Sequence, residues 1–203
     1  MALVQPLTGE ITDQLNLLIV GETHDDLLIQ RIKRSIEKIR PHDIQQYHML
    51  SGMLYSILGD VESCIDSHEK SLRYSSDVMF LHNYAYSMKR LGLSEKAYEL
   101  MARSFDSSPT SECFGEYLTA TIFAGIFDSF EERLVKFAKS NPETSVDDIG
   151  DVRYINHVRQ ILEGAGVSEV SYRKALELAD SVIASKRYMT ESIFIERGSF
   201  DGV

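Results

Sequence analysis

Apolar residues recur along most of this chain at every third or fourth position, the spacing that places them on one face of an α-helix. Between residues 26 and 40 this spacing predicts an amphipathic helix that ends before Pro41. Its apolar positions are Leu28, Ile29, Ile32, Ile36 and Ile39. Residues 10–20 also fit a helix, but the stretch 15–20 fits a short buried strand equally well, and periodicity alone leaves both open.

Three glycines, Gly59, Gly92 and Gly125, recur at a constant step of 33 residues, and each lies between two amphipathic segments long enough to be helices. This period is typical of stacked helix-turn-helix units, none of which can bury its own apolar face alone. The first unit is predicted to begin at residue 45, with one helix ending at 58 and a second at 74. The second unit comprises helices 78–91 and 94–105, and a looser third unit spans 111–142.

Beyond residue 142 the pattern predicts a loop followed by helices over 151–163 and 169–185. We expect the apolar face of the last helix to seal one end of the stack. That face consists of Val170, Ala175, Leu176, Leu178, Ala179 and Val182. Residues 192–196 predict a short strand, which can pair with a second copy of the chain in a homodimer or be the edge of a longer protein.

The predicted fold class is therefore all-α, a right-handed stack of antiparallel helix hairpins with a short C-terminal strand. Residues 1–44 are expected to form an N-terminal helical lead-in, and residues 45–142 the three repeats. Residues 143–203 are expected to form the capping helices and the strand.

Composition and charge narrow the function classes. The chain has 203 residues, 43% of them hydrophobic, and a formal net charge of -10, which argues against a nucleic-acid-binding surface. Cys64 and Cys113 have no metal-ligand spacing, so we expect reduced thiols, no metal and no cofactor. The longest apolar run is too short to cross a bilayer, and a cytoplasmic location without membrane contact is the expectation.

Small residues stand where neighbouring helices of the predicted units would approach each other. They are Ala85 in a first helix, Gly92 at the turn, and Ala97 and Ser104 in a second helix, with Pro109 at the exit. Together with the run from Gly59 through Cys64 to Leu72, these positions resemble the tetratricopeptide repeat family. The resemblance covers about half of the chain. Ser76, in place of a terminal proline, and Phe130, at a small position, depart from the family pattern.

The resemblance implies a concave groove, lined by the first helix of each unit, that receives a peptide segment of another protein. By matching positions, the groove residues are Met49, Met53, Ser56, His82, Asn83, Tyr86, Lys89, Glu112, Glu116 and Thr119. In the family, the position of Asn83 often hydrogen-bonds the ligand backbone. Members that clamp acidic tails carry basic residues where this chain has methionines and glutamates, so the expected ligand has apolar anchors and some positive charge. Met49 and Met53 could instead pack inside the stack.

A second motif offers an enzymatic alternative. Gly21, Glu22, Thr23 and His24 resemble the Gly-Glu-x-His signature of a hydrolase-like superfamily that includes erythromycin esterases and haem-uptake proteins. There the motif follows a strand of a multi-stranded sheet, and its Glu and His, here Glu22 and His24, do the chemistry by proton transfer or metal binding. The plainer interpretation is that Thr23 and its acidic neighbours cap the next helix. The favoured prediction remains a non-catalytic adaptor, chaperone or neutralising partner.

Overall fold

The computed structural model describes residues 4–20, 26–74, 77–186 and 193. Within those ranges the chain forms ten α-helices, one turn of 3₁₀ helix at Val146–Asp148, and no strand, which confirms the all-α class. The helices are α1 Val4–Val20, α2 Asp26–Ile39, α3 Ile44–Leu58, α4 Val61–Leu72, α5 Val78–Arg90, α6 Ser94–Ser107, α7 Ser111–Ala124, α8 Phe130–Ser140, α9 Gly150–Gly164 and α10 Glu169–Ser185.

The chain divides into two compact units, Met1–Leu91 and Gly92–Val203. The boundary falls between α5 and α6, so the predicted repeat segment 45–142 is shared between the two units. Each unit is described below by itself.

The first unit begins with α1 and α2, which pack against each other through branched apolar side chains. The stretch 15–20 lies inside α1, so it is helical rather than a strand. Leu15 of α1 and Ile32 of α2 are both fully buried in one apolar cluster. α2 ends at Ile39, before Pro41, as the sequence predicts.

α3 and α4 are joined by the turn predicted at Gly59. This glycine has a φ of 77°, in the left-handed region where residues with a Cβ are strained. The next residue, Asp60, accepts a hydrogen bond of 3.0 Å from the N–H of Ser63 and so caps α4. The same left-handed conformation recurs at the other two periodic glycines, Gly92 and Gly125.

α3, α4 and α5 pack together around a buried histidine. The ring of His68 stacks on Tyr84 with 4.7 Å between centroids. It lies so close to α3 that a methyl group added at Gly52 would be 2.5 Å from its Cδ2 atom. Because the Ser87 hydroxyl donates to the carbonyl of Asn83 at 2.9 Å, the His68 Nε2–H must be the donor in its 2.9 Å bond to the Ser87 oxygen.

Burial lowers the pKa of His68 from its usual 6.5 to about 3, so the ring is neutral in the folded protein near pH 7. Below pH 6.5 the imidazole of His68 becomes protonated in the unfolded chain but stays neutral in the folded chain. The free energy of unfolding should therefore fall as the pH drops from 6.5 toward 3, by up to about 1.4 kcal/mol per pH unit from this group.

The matched variant for this prediction is His68→Gln, which keeps a hydrogen-bond donor but does not titrate. Urea unfolding at several pH values should show the stability advantage of the wild type over the variant shrinking between pH 6.5 and 4.5. A constant advantage across that range would contradict the assignment of a buried neutral imidazole.

The second unit has an aromatic core between α6, α7 and α8. Phe114 of α7 stacks on Phe137 of α8 with 4.1 Å between ring centroids, and Phe105 of α6 lies 5.2 Å from Phe114. Phe130 is also fully buried. The phenylalanines at positions 130 and 137, which depart from the small residues of the earlier repeats, are therefore core residues that fill the space beside α7.

Of the apolar face predicted for α10, Leu176 packs against the rest of the unit and the other large residues do not. Leu178 and Val182 are 68% and 57% exposed, and Val170 is also exposed. The residues that contact the rest of the unit follow a stripe of every fourth position instead. Those residues are Tyr172, Leu176, Asp180 and Ala184. Apart from Leu176 the predicted face was wrong, because Asp180, the one residue of α10 that is buried, is a carboxylate and not an apolar side chain.

The packing stripe of α10 meets the two periodic glycines of the second unit. A methyl group added at Gly92 would lie 2.8 Å from the Cβ of Ala184 and 3.0 Å from the carbonyl oxygen of Asp180. One added at Gly125 would lie 2.8 Å from Leu176 Cδ1. The missing side chains of these glycines thus allow the close approach of α10 as well as the left-handed turns.

Two carboxylates of α10 supply acceptors where the second unit needs them. Neither α6 nor α8 has a side-chain hydrogen bond from its own N-cap residue. Asp180 accepts a hydrogen bond from the hydroxyl of Ser94, the first residue of α6. Glu169 accepts from the N–H of Phe127, in the turn before α8, at 2.7 Å. A negative charge at these positions is also stabilised by the positive, N-terminal end of the helix dipole.

The predicted strand at residues 192–196 lies outside the described residues except for Ile193, which belongs to no strand. The carbonyl of Ile193 accepts a hydrogen bond of 2.9 Å from the hydroxyl of Tyr154 on α9. The homodimer predicted through this strand stays a prediction.

The three periodic glycines form a matched series for mutation to alanine. Each substitution strains a left-handed turn, at a cost of about 1 kcal/mol. Gly59 has no atom within 4 Å of an added methyl group, whereas Gly92 meets a Cβ and a backbone carbonyl and Gly125 meets the ends of two side chains. We expect the loss of stability to increase in the order Gly59→Ala, Gly125→Ala, Gly92→Ala, as measured by urea unfolding. Equal losses at all three positions would contradict the close approach of α10.

Candidate functional site

One face of α5 presents the side chains that the sequence assigns to a peptide groove. His82, Asn83, Tyr86 and Lys89 lie within a third of the helix circumference, because they follow each other at steps of one, three and three residues. Met79, which the sequence analysis did not select, shares this face. Met79 and Tyr86 are each 42% exposed. We call these five residues the α5 surface.

The opposite side of α5 is fixed in the core. Phe80, Leu81, Tyr84 and Met88 are buried there. The hydroxyl of Tyr84 also donates to Glu69 of α4 at 3.1 Å. The α5 surface is therefore carried by a helix whose orientation is set by packing, which reduces the entropy lost when a ligand binds.

Asn83 is held in place by two hydrogen bonds. Its Nδ2 donates to the carbonyl of Met79, one helical turn earlier, at 2.8 Å. Its backbone carbonyl accepts from Ser87, which connects it to the buried His68. The amide thus sits in a defined position on the α5 surface, as a group that recognises a peptide backbone requires.

The C-terminal end of α5 is tied to α3. Arg90 donates to the hydroxyl oxygen of Ser56 at 3.1 Å, and burial lowers the pKa of its guanidinium. Cys64 is fully buried close to Arg90, and burial raises the pKa of its thiol to about 12. A thiol with so high a pKa is protonated near neutral pH and is a poor nucleophile, so Cys64 serves packing and not covalent catalysis.

The two methionines assigned to α3 do not form an exposed surface. Met49 is only 3% exposed and belongs to the apolar cluster of the first unit. Met53 is half-buried and packs against the same cluster. Ser56 is buried as well. The alternative in which the methionines pack inside the fold therefore describes Met49, and Met53 reaches solvent only in part.

The third group of predicted groove residues belongs to the second unit and lies on α7. Glu112 is exposed in the first turn, and Glu116 and Thr119 are half-buried. α7 buries Phe114 and Tyr117 on its other side. Its first turn therefore presents one exposed acidic side chain, Glu112, on a helix that is held by aromatic packing.

An ion pair with an aromatic neighbour holds α8 beside α6 and α7. Arg133 donates to Asp106 at 2.8 Å and lies over the ring of Tyr117 at 5.1 Å from its centroid. Burial by itself would lower the pKa of Arg133, but the hydrogen bonds and electrostatic attraction of Asp106 and Tyr117 together outweigh it, so the pKa is raised and the charge is retained. Nothing in this cluster offers a nucleophile, and we read it as structural.

The described residues give no support for a catalytic centre. They contain no group of three or more His, Cys, Asp or Glu side chains that could hold a metal ion. A shallow cavity of about 250 Å³ on α9 is lined by His157, Gln160, Ile161 and Gly164, without a second titratable group. Glu22 and His24 lie outside the described residues, and the segment before them is the helix α1 where the hydrolase-like motif requires a strand.

None of the described helices is both long and apolar enough to cross a bilayer. Comparison of the chain with protein-family models, curated proteins and solved structures finds no match.

Met49 and Met79 form a matched pair for testing which methionine is structural. Met49→Ala should lower the free energy of unfolding by about 2–5 kcal/mol, since it leaves a cavity in the apolar cluster. Met79→Ala should change it by less than about 0.5 kcal/mol, because the side chain is substantially exposed. Both values can be measured by urea unfolding. A small loss of stability for Met49→Ala would contradict the burial of that residue.

Proposed function

We propose that this protein is a non-catalytic interaction module that holds a peptide segment of another protein on the α5 surface. The observation that carries the proposal is the combination of exposed Met79 and Tyr86 with the positioned amide of Asn83 on one helix face. A thioether adapts to irregular apolar side chains, and tyrosine adds apolar area with a polar tip. A side-chain amide recognises a peptide backbone whatever its sequence.

The arrangement of α3, α4 and α5 supports a groove of the tetratricopeptide type within the first unit. α3 packs on both α4 and α5, and α5 also contacts α4, as expected when the first helices of successive hairpins lie side by side. The α5 surface would line the inner side of such a groove. Met53 would contribute its exposed part, and Met49 would support the groove from below.

The proposed partner carries apolar anchors and some positive charge. The anchors would contact Met79 and Tyr86, and the positive charge suits the protein's net charge of -10. Adaptor, chaperone and neutralising roles are all compatible with this chemistry, and a cytoplasmic location remains part of the proposal. No observation favours the enzymatic alternative at Glu22 and His24, which stays a prediction.

The test is affinity capture of partners from the native cell, with the wild type compared with the double variant Asn83→Ala/Tyr86→Ala. We expect the variant to lose a stoichiometric partner by at least about tenfold, because hot-spot aromatic and amide groups contribute most of a small interface. Quantitative mass spectrometry measures the recovery, and circular dichroism verifies that helix content is unchanged.

The control is Tyr74→Ala, since Tyr74 follows α4, is not part of the α5 surface and is even more exposed than Tyr86, at 57%. Partner recovery should be unaffected by this variant. If both variants lose the partner equally, or neither does, the α5 surface is not the binding site.

A further inference from the structure

α10 has a second side that none of the described residues covers. Its inner side is committed to the turns at Gly92 and Gly125 and to the hydrogen bonds of Asp180 and Glu169. The outer side is therefore fixed toward solvent and cannot turn inward without breaking those contacts. Leu178 is the most exposed of its large apolar residues.

The outer side of α10 carries a stripe with steps of four, three and four residues. This is the spacing of a seam that packs against another helix. The stripe consists of Ser171, Ala175, Leu178 and Val182, all of them exposed, and we call it the α10 stripe. It extends for about 16 Å along the helix.

The order of side chains along the α10 stripe is self-complementary. Its N-terminal half has the small residues Ser171 and Ala175, and its C-terminal half has the large residues Leu178 and Val182. When two copies lie antiparallel, Leu178 of each packs beside Ala175 of the other, and Val182 packs beside Ser171. Each large side chain then meets a small one, which allows close helix approach without overpacking.

Polar groups of α10 are satisfied within the helix and do not oppose the pairing. Glu177 forms an ion pair with Arg173, with 3.8 Å between its Oε1 and the Nε of the arginine. The hydroxyls of Ser181 and Ser185 donate to carbonyls of their own helix, so they need no further partner.

We propose that two copies of this chain associate through an antiparallel pairing of their α10 stripes. The pairing is two-fold symmetric and therefore closes as a dimer rather than growing into a filament. It uses neither the α5 surface nor α7, so it is independent of the proposed peptide binding.

Sedimentation equilibrium of the full chain tests the proposal across a wide range of protein concentration. We expect a reversible monomer–dimer equilibrium in the wild type. Leu178→Glu/Val182→Glu should raise the dimer dissociation constant by at least about tenfold, because it places like charges in an apolar seam. The control Val135→Glu, at an exposed valine of α8, should leave the constant unchanged. A wild type that is monomeric throughout, or a dimer that both variants preserve, overturns the proposal.

Cysteine cross-linking tests the direction of the pairing without disturbing charge. The native Cys64 and Cys113 are both buried, so introduced thiols can be oxidised selectively. A mixture of Ala175→Cys and Leu178→Cys chains, made distinguishable by mass, should form the mixed disulfide several-fold faster than either variant forms its own. Faster self-linking of each variant would indicate a parallel pairing and would overturn the antiparallel arrangement.

Discussion

The first backbone N–H groups of every helix have no partner inside that helix, and the need to satisfy them shapes this fold. α3, α4, α5 and α7 meet the need locally, through their own cap residues. Those residues are Asp43, Asp60, Asp77 and Thr110. At α6 the N-cap residue is Leu93, whose side chain cannot accept a hydrogen bond, and Asp180 of α10 accepts instead from the hydroxyl of Ser94 in the first turn. This long-range contact places a carboxylate beside the N-terminal end of α6, where the helix dipole favours it, and it fixes α10.

The second constraint is the close approach of neighbouring elements at glycines, which have no side chain. Gly52 allows the ring of His68 to lie against α3, and Gly92 allows Ala184 of α10 to reach a turn. In both places the neighbour occupies the volume that a Cβ would need. The glycines therefore determine which helix faces can meet, and the exposed faces, including the α5 surface and the α10 stripe, are what remains for other molecules.

Much of the helical layout could be predicted from the sequence, because periodic apolar residues and glycine turns act locally. The helix predicted over 169–185 has those bounds in the structure, and the one predicted to begin at 78 begins at Val78. The sequence alone could not distinguish helix from strand at residues 15–20, because both periodicities fit so short a run. The packing of α1 on α2 decides for the helix.

The faces of helices were harder to predict than their bounds. The exposed stripe of α10 holds as many apolar residues as its packed stripe, because Asp180 is buried on the packed side for its hydrogen bond to Ser94. Met49 was assigned to a groove by its position in a repeat, yet it packs in the cluster with α1 and α2. Met79 could have been found from its spacing of three residues before His82. Hydropathy depends only on the type of a residue, whereas its burial depends on which other helix packs against it.

The position of Asp180 and Glu169 in α10, after α6 and α8 in the chain, affects how the protein is made. During synthesis the segments that become α6 and α8 leave the ribosome long before α10, so the acceptors for the Ser94 hydroxyl and the Phe127 N–H do not yet exist. The second unit can reach its final hydrogen-bonded arrangement only after α10 has been translated. Its nascent form depends on water to satisfy those donors until then.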